Sequence, residues 1–227
     1  MPEFINRFTG KTIDFLNSRG AYTSTEEFNK RDYIFKQRLL ERFIDFLPKN
    51  PIGIDIGAAD GKMSDVMKNE KSIALDPLPQ PNPEYQIPYV EAVAERLPFE
   101  DNSLDYATVL YSFHHFQEPQ TAFKEIMRVL KPGGLLIAMV EYPRYPGQKY
   151  FLKINEQSVN EVIYAEGKLD KMSKYIESIN HFTRKSFENL IRKFSLETLE
   201  AKTYSPTKWW DIPFKSSKNF YVLRIPS

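Results

Sequence analysis

The chain has 227 residues, with 31 Lys and Arg against 30 Asp and Glu, so its formal net charge is +1. This length is ample for one domain with additions. The balanced charge argues against a dedicated nucleic-acid binder, whose basic surface would show in the total. The sequence contains no cysteine, which excludes disulfides, cysteine nucleophiles and zinc–thiolate sites.

The distribution of apolar residues excludes further classes. No run approaches the roughly 20 apolar residues of a membrane span. The first residues lack the continuous apolar core of a signal peptide. Together with the absence of cysteine, this pattern favours a cytoplasmic protein without a membrane span. The sequence leaves the oligomeric state open.

Residues 1–48 are predicted to be helical. Ser24 and Glu27 have the spacing of a capping box. Apolar side chains then recur at three-, four- and seven-residue steps, which is the pattern of one helix face. Pro48 and Pro51 are predicted to end this helix.

Short apolar segments then alternate with helical patterns. The predicted strands are 52–56, 72–76, 89–94, 106–111, 135–140, 196–203 and 220–225. The predicted helices between them are 62–69, 120–130 and 183–194, with two more at 155–164 and 170–179 that break the rhythm. This alternation predicts an α/β fold with a seven-stranded, mostly parallel sheet covered by helices on both faces.

A glycine turn after the first strand is the sharpest functional signal. Gly57 and Gly61 frame this turn, and Asp76 ends the next strand. Glycine lets the backbone approach a ligand closely, and a carboxylate after the second strand can bind ribose hydroxyls. A dinucleotide fingerprint would need glycines where Ala59 and Lys62 stand, and the phosphate-loop pattern fails as well. The turn therefore favours a nucleotide-like ligand without phosphates.

Four segments of the chain carry a resemblance to a known family. They are Ile54–Gly61, Ala94–Asp105, Ser112–Phe116 and Glu125–Gly134. In order and spacing they resemble class I S-adenosylmethionine-dependent methyltransferases, in the methyltransferase type 11 subgroup that includes quinone-biosynthesis enzymes. The resemblance covers about residues 50–140 and implies S-adenosylmethionine as cofactor, with S-adenosylhomocysteine as product.

The resemblance also implies roles for individual residues. Those expected to bind the cofactor are Asp55, Gly57, Ala58, Ala59 and Gly61 at its methionine end, Asp76 at the ribose, Pro77, Leu78, Val93, Ala94 and Glu95 around the adenine, and Tyr111 and Ser112 near the methyl group. Two positions depart from the family pattern. Ala59 replaces the usual middle glycine, and Val93 stands where an aspartate usually binds the adenine amino group. Glu95 is equally consistent with a carboxylate that braces the loop.

Methyl transfer from a sulfonium requires mainly alignment and exclusion of water, so no catalytic triad is expected. A general base is needed only if the acceptor must lose a proton. His114 and His115 are the candidates for that base, and the alternative is that they brace the loop. No histidine–carboxylate cluster has metal-ligand spacing, so no metal is expected.

The acceptor site is predicted outside the common core. The expected division is an N-terminal helical cap at 1–48, a Rossmann-like core at 49–142 and 181–227, and a helical substrate lid at 143–180. The aromatic candidates for the acceptor wall are Tyr22, Tyr142, Tyr145 and Trp209. We expect a small, partly apolar or aromatic acceptor and no nucleic acid. The alternative is a non-catalytic cofactor-binding protein with a regulatory or assembly role.

Overall fold

The computed structural model describes residues 43–58, 72–77, 88–142, 182–204 and 217–226. Within these ranges, seven strands form one sheet in the order β3-β2-β1-β4-β5-β7-β6. The strands are β1 (Gly53–Ile56), β2 (Ser72–Asp76), β3 (Tyr89–Glu91), β4 (Leu104–Leu110), β5 (Leu130–Tyr142), β6 (Glu197–Tyr204) and β7 (Ser217–Arg224). Two α-helices accompany them, α1 (Pro119–Val129) and α2 (Arg184–Lys193).

The sheet is parallel except at one strand. β1 pairs in parallel with β2 and with β4, β2 with β3, and β4 with β5. β7 runs antiparallel to both of its neighbours, β5 and β6. The predicted Rossmann-like fold with a seven-stranded, mostly parallel sheet is therefore confirmed. The predicted lid helices lie outside the described residues.

The central strands are apolar along their whole length because both faces of the sheet are covered. All four residues of β1 are buried, and β4 is buried except at one position. One face packs under α1 and α2 through a large apolar cluster that includes Phe123, Ile126 and Phe187. The other face carries a smaller cluster, in which Phe43 stacks on Phe220 with ring centroids 4.8 Å apart.

Both described helices match their predictions to within one residue. α1 has a proline at its first position and ends where Leu130 turns to extended backbone. α2 begins after Thr183, whose side chain accepts a hydrogen bond from Ser186 N. The Ser186 hydroxyl in turn accepts from Thr183 N, so that serine completes the capping box where Glu or Gln is usual.

All strands except β2 differ from their predicted boundaries by one to five residues at one end or both, and three of these differences are informative. β3 ends at Glu91 instead of residue 94, because the chain turns there and Arg96 N donates to Val93 O. β4 ends at Leu110 because Tyr111 has a left-handed backbone, with φ of 62°. β5 already begins at Leu130, so the predicted helix terminator Lys131–Gly134 is also the start of the strand.

Several predictions lie outside the described residues. These are the helix at 62–69, the helices at 155–164 and 170–179, and most of the helical region 1–48. Its described end is a single 3-10 turn, Ile44–Phe46, which stops before Pro48 as predicted. The division into cap, core and lid stays a prediction.

Candidate functional site

The carboxyl ends of β1, β2 and β4 meet at one edge of the sheet. β1 lies between β2 and β4 in the strand order. The chain leaves β1 towards β2 and leaves β4 towards β5, so the two connections diverge at this point. In open α/β sheets a ligand binds in the crevice beyond such a divergence. The residues following these three strands therefore form the candidate site.

The turn after β1 requires glycine for two independent reasons. Gly57 has a φ of +76°, a conformation that side chains rarely adopt. A Cβ built on Gly57 would lie only 2.3 Å from the Cβ of Ser112. The amides of Gly57 and Ala58 both donate to the carbonyl of Leu75, at 2.8 and 3.0 Å. The turn is thus fixed against β2 on one side and against the end of β4 on the other.

Ser112 connects the end of β4 to the end of β1. Its hydroxyl donates to the carbonyl of Ile56 at 2.7 Å, and the residue is buried. Tyr111, in its left-handed conformation, donates its amide to Met139 O at 3.1 Å and so reaches across to β5. The structure gives the Ser112 hydroxyl a bracing contact with the backbone. The predicted proximity of Tyr111 and Ser112 to the methyl group stays a prediction.

Asp55 receives a side-chain partner that the sequence reasoning missed. Thr108 Oγ1 donates to Asp55 Oδ1 at 2.6 Å, and both residues are buried. The two are direct partners in the β1–β4 register. The one signal in the sequence was a threonine inside the otherwise apolar stretch of β4, and register was needed to interpret it.

Asp76 ends β2, next to β1, and is only 6% exposed. Its carbonyl accepts a hydrogen bond from Ala92 N at 3.2 Å, which ties the end of β2 to the segment after β3. Pro77 follows and is half-buried. Asp55 and Asp76 thus bring two carboxylates to neighbouring strand ends. Such a pair suits hydroxyl groups and cations, and it disfavours a pyrophosphate.

The loop after β3 contains three of the residues predicted to surround the adenine ring of the cofactor. Val93 is half-buried and Ala94 is buried. Glu95 Oε1 accepts a hydrogen bond from Glu118 N, 3.0 Å away, just before α1 begins. This contact is the one expected of a loop-bracing carboxylate, and a cofactor contact of Glu95 stays a prediction.

α1 holds this loop in place through one carboxylate and one guanidinium. Glu125 Oε2 accepts from Leu97 N at 2.9 Å, and the Arg128 guanidinium donates to Leu97 O at 3.0 Å and to Phe99 O at 2.8 Å. Arg128 also forms ion pairs with Glu125 and Asp101. The hydrogen bond from Arg128 holds the pKa of Glu125 below its ordinary value. The sequence pointed to α1 and to the loop separately, but it did not show that α1 holds the loop in place.

Asp105 fixes the opposite, amino end of the central strands. Its Oδ2 accepts from Ile52 N at 2.8 Å, and its Oδ1 pairs with Lys131 Nζ at 2.7 Å. Asp105 therefore stabilises the start of β1 beside β4, far from the candidate ligand edge.

His114 and His115 lie in a single 3-10 turn, Phe113–His115, directly after the end of β4. Their ring centroids are 4.0 Å apart, and both residues are half-buried. Phe113 anchors the turn by packing against Phe123 and Phe187, at centroid distances of 5.2 and 5.4 Å. The turn is thus well positioned beside the ligand edge, and a catalytic role of either histidine stays a prediction.

The other predicted site residues have side chains that the structure does not describe. Tyr142 is the last residue of β5. The others lie outside the described residues: Ala59, Gly61, Leu78, Tyr22, Tyr145 and Trp209. Their predicted roles stay predictions.

The described part of the chain offers neither a metal-binding cluster nor a membrane-spanning helix. Its side chains include no group of three or more His, Asp or Glu that could hold a metal ion. None of its helices is long and apolar enough to cross a membrane.

Comparison with known proteins finds a family match for the central segment of the chain. Residues 54–138 match the family model described as a methyltransferase domain. A demethylmenaquinone methyltransferase of Protochlamydia amoebophila is 35% identical over 114 residues, which are 49% of this chain and 44% of that protein. A ubiquinone/menaquinone biosynthesis C-methyltransferase of Bartonella quintana is 31% identical over 120 residues, 45% of this chain and 46% of that protein. The chain spans less than half the length of these relatives.

Solved structures share the fold over most of the chain. A putative methyltransferase from Bacillus halodurans superposes with a TM-score of 0.62 at 17% identity, covering 83% of this chain and 99% of that one. The 1,6-didemethyltoxoflavin-N1-methyltransferase of Burkholderia thailandensis, solved with S-adenosylhomocysteine bound, gives 0.62 at 14% identity and covers 94% of this chain and 84% of its own. At these identities the likeness establishes the fold.

Proposed function

We propose that this chain, whose residues 54–138 match a methyltransferase domain, is a class I S-adenosylmethionine-dependent methyltransferase that transfers a methyl group to a small acceptor. The acceptor is partly apolar or aromatic. S-Adenosylmethionine supplies the electrophilic methyl group. The chain's own residues bind and align the reactants and exclude water from them.

The observation that carries this proposal is the set of groups gathered where β1, β2 and β4 end. The glycine turn leaves no side chain at Gly57, and the buried carboxylates Asp55 and Asp76 stand at neighbouring strand ends. S-Adenosylmethionine carries an ammonium, a sulfonium and a ribose diol, and it has no phosphate. Carboxylates complement the cations and accept hydrogen bonds from the diol, so the chemistry of the site fits this cofactor.

The positions of the residues at the strand ends support the following binding roles. Asp76 accepts hydrogen bonds from the ribose hydroxyls, and the segment from Asp55 to the glycine turn binds the methionine end. The loop with Val93 and Ala94, braced by α1, binds the adenine. His114 or His115 removes a proton where the acceptor needs to lose one.

The names of the relatives support a ring-containing acceptor. Two of them methylate quinone precursors by name, and one solved neighbour methylates a toxoflavin precursor. A ring acceptor agrees with the small, partly apolar substrate expected from the sequence.

Calorimetry and turnover test the proposal. Purified protein is titrated with S-adenosylhomocysteine, with NADH as the comparison ligand, and is then assayed for methyl transfer to a panel of phenols, quinols, amines and carboxylic acids. We expect saturable binding of S-adenosylhomocysteine only, and turnover on one acceptor class. A protein that binds neither S-adenosylhomocysteine nor S-adenosylmethionine contradicts the proposal.

A second candidate function is a non-catalytic cofactor-binding protein with a regulatory or assembly role. Val93 favours it, since an apolar, half-buried side chain stands where the family usually has an adenine-binding aspartate. Binding of S-adenosylhomocysteine without turnover on any acceptor class would favour this candidate.

A further inference from the structure

The Asp55 carboxylate is held by a hydroxyl of the neighbouring strand. Thr108 Oγ1 and Asp55 Oδ1 are 2.6 Å apart, and the next acceptor, Ile54 O, is 3.5 Å from the same hydroxyl. The hydroxyl has one proton, and it is directed to the nearer, charged acceptor. Thr108 is 1% exposed and Asp55 6%. The orientation of this carboxylate is therefore set inside the protein.

This contact lies one residue from the turn that follows β1. Asp55 is the last but one residue of the strand, and Gly57 begins the turn after Ile56. Ser112, four residues after Thr108, holds Ile56 O at 2.7 Å. The hydroxyl groups of Thr108 and Ser112 thus hydrogen-bond to two consecutive residues of β1, Asp55 and Ile56, at the edge where the ligand crevice opens.

We propose that Thr108 is a positioning residue for the cofactor, acting through Asp55. The proposal rests on the proposed function, because it assumes that the methionine end of S-adenosylmethionine lies at Asp55. Thr108 fixes the rotamer of the carboxylate before the ligand arrives. Such preorganisation removes an ordering cost from binding. Loss of the hydroxyl leaves the charge in place but lets the carboxylate turn away.

The chain offers a matched control on the same strand. Tyr106 precedes Thr108 by two residues, and its buried hydroxyl is 2.6 Å from Ser72 Oγ near the amino end of the sheet. Tyr106→Phe removes a buried hydroxyl from β4, as Thr108→Val does, but far from the ligand edge. Both variants are expected to be less stable than the wild type. Only Thr108→Val is expected to lose cofactor affinity.

The decisive measurement is the dissociation constant for S-adenosylhomocysteine by calorimetry. We expect Thr108→Val and Thr108→Ala to weaken binding by about tenfold, because the ligand must then order the Asp55 carboxylate itself. Thr108→Ser keeps the hydroxyl and should bind within about twofold of the wild type. Thr108→Ala and Thr108→Ser differ by one oxygen atom, so this pair carries the test if Thr108→Val does not fold.

A double-mutant cycle separates action through Asp55 from a general effect on the sheet. Asp55→Asn removes the charge that Thr108 positions. If Thr108 acts through that charge, Thr108→Ala adds little to the loss already caused by Asp55→Asn. Additive losses, or equal affinities of the Thr108→Ala and Thr108→Ser variants, would overturn the inference while leaving the proposed function intact. Failure of the wild type to bind S-adenosylhomocysteine would instead overturn the proposed function and this inference with it.

Discussion

Single residues at the ends of β1, β2 and β4 define the candidate site. Asp76 contributes a buried carboxylate, and Gly57 contributes a turn that a side chain would obstruct. A carboxylate at the ligand edge of an open α/β sheet can accept hydrogen bonds from the hydroxyl groups of a nucleotide-like ligand. Substitution of each of these two residues leads to a separate testable prediction.

Asp76→Ala should weaken binding of S-adenosylhomocysteine by about tenfold to a hundredfold. The reason is that the ribose diol loses a charged acceptor, worth roughly 1.5–3 kcal/mol. Calorimetric titration measures the change. Glu197→Gln is the control, because this carboxylate pairs with Arg224 on the far side of the sheet and is exposed. Equal affinities of the Asp76→Ala variant and the wild type would place the ribose elsewhere.

Gly57→Ala should both destabilise the fold and weaken cofactor binding. The new Cβ would meet Ser112 at 2.3 Å, and the φ of +76° strains any L side chain. Gly133→Ala is a matched control, since Gly133 has a φ of +77° but nothing within 4 Å of the built Cβ. Strain alone costs about 1–2 kcal/mol in the left-handed region.

The comparison of these two variants isolates the steric clash. Urea denaturation should show a larger loss for Gly57→Ala than for Gly133→Ala, and only the former should bind S-adenosylhomocysteine more weakly. Similar losses in both would mean that Ser112 moves aside freely and does not fix the turn.

At the scale of elements, α1 positions the loop that follows β3. Arg128 contacts the backbone at Leu97 and Phe99 and pairs with two carboxylates, those of Glu125 and Asp101. A guanidinium can serve several acceptors in a fixed plane, which an ammonium cannot do. Residues that are 27 to 31 positions apart in the chain thus form one structural unit.

Arg128→Lys should therefore loosen the loop although it preserves the charge. We expect a loss of about 2 kcal/mol in the free energy of unfolding, since several charge-assisted hydrogen bonds lose their geometry. Faster hydrogen exchange at 95–101 would show the loosened loop directly. Lys124→Arg, an exposed change on the same helix, serves as control. Unchanged exchange in the Arg128→Lys variant would contradict the bracing role.

The pKa of Glu125 predicts how stability depends on pH. Its folded-state pKa lies below the ordinary value of 4.5 because Arg128 donates to the ionised carboxylate. The unfolded state therefore binds a proton more readily as the pH falls. The stabilisation by ionised Glu125 is complete above the unfolded pKa and is lost as the pH falls through the folded one.

Glu125→Gln should remove this part of the acid sensitivity. Denaturation curves at pH 7 and at successively lower values, down through the folded pKa of Glu125, should show a smaller loss of stability in the variant than in the wild type. At pH 7 the variant should be the less stable of the two. A pH dependence identical to that of the wild type would mean that Glu125 does not contribute to it.

At the scale of the whole molecule, we propose that the segments predicted to be helical, within 1–48 and 143–180, form a lid over the ligand edge. The chain leaves β5 at the same edge at which β1, β2 and β4 end, because these strands are parallel. Residues 143–180 therefore start beside the candidate site. A closing segment would exclude water and select the acceptor.

Hydrogen exchange tests the lid. Protection of residues 15–35 and 145–180 should rise when S-adenosylhomocysteine binds, and removal of residues 1–22 should abolish turnover while the core still folds. Unchanged protection together with full activity of the shortened protein would contradict a role of these two segments at the site.

Local sequence patterns were enough to predict the order and type of the described strands and α-helices, and the glycine turn after β1. β1, β2, α1 and α2 agree with prediction because each has local signals, namely continuous apolar runs for the strands and an amphipathic pattern for the helices. Gly57 and Asp76 were singled out by their spacing along the chain, and Asp55 by the resemblance of its segment to the methyltransferase family. Strand ends were less certain, since the left-handed Tyr111 and the turn at Val93 have no strong local signature.

The residues that hold the site residues in place could be identified only from the three-dimensional structure. Thr108 reaches Asp55 across 53 positions of sequence, and Glu125 reaches Leu97 across 28. Such contacts depend on which strands are neighbours and in what register, and a one-residue shift would turn Thr108 to the opposite face of the sheet. Strand order and register arise from packing of the whole sheet against its helices, so no local pattern contains them.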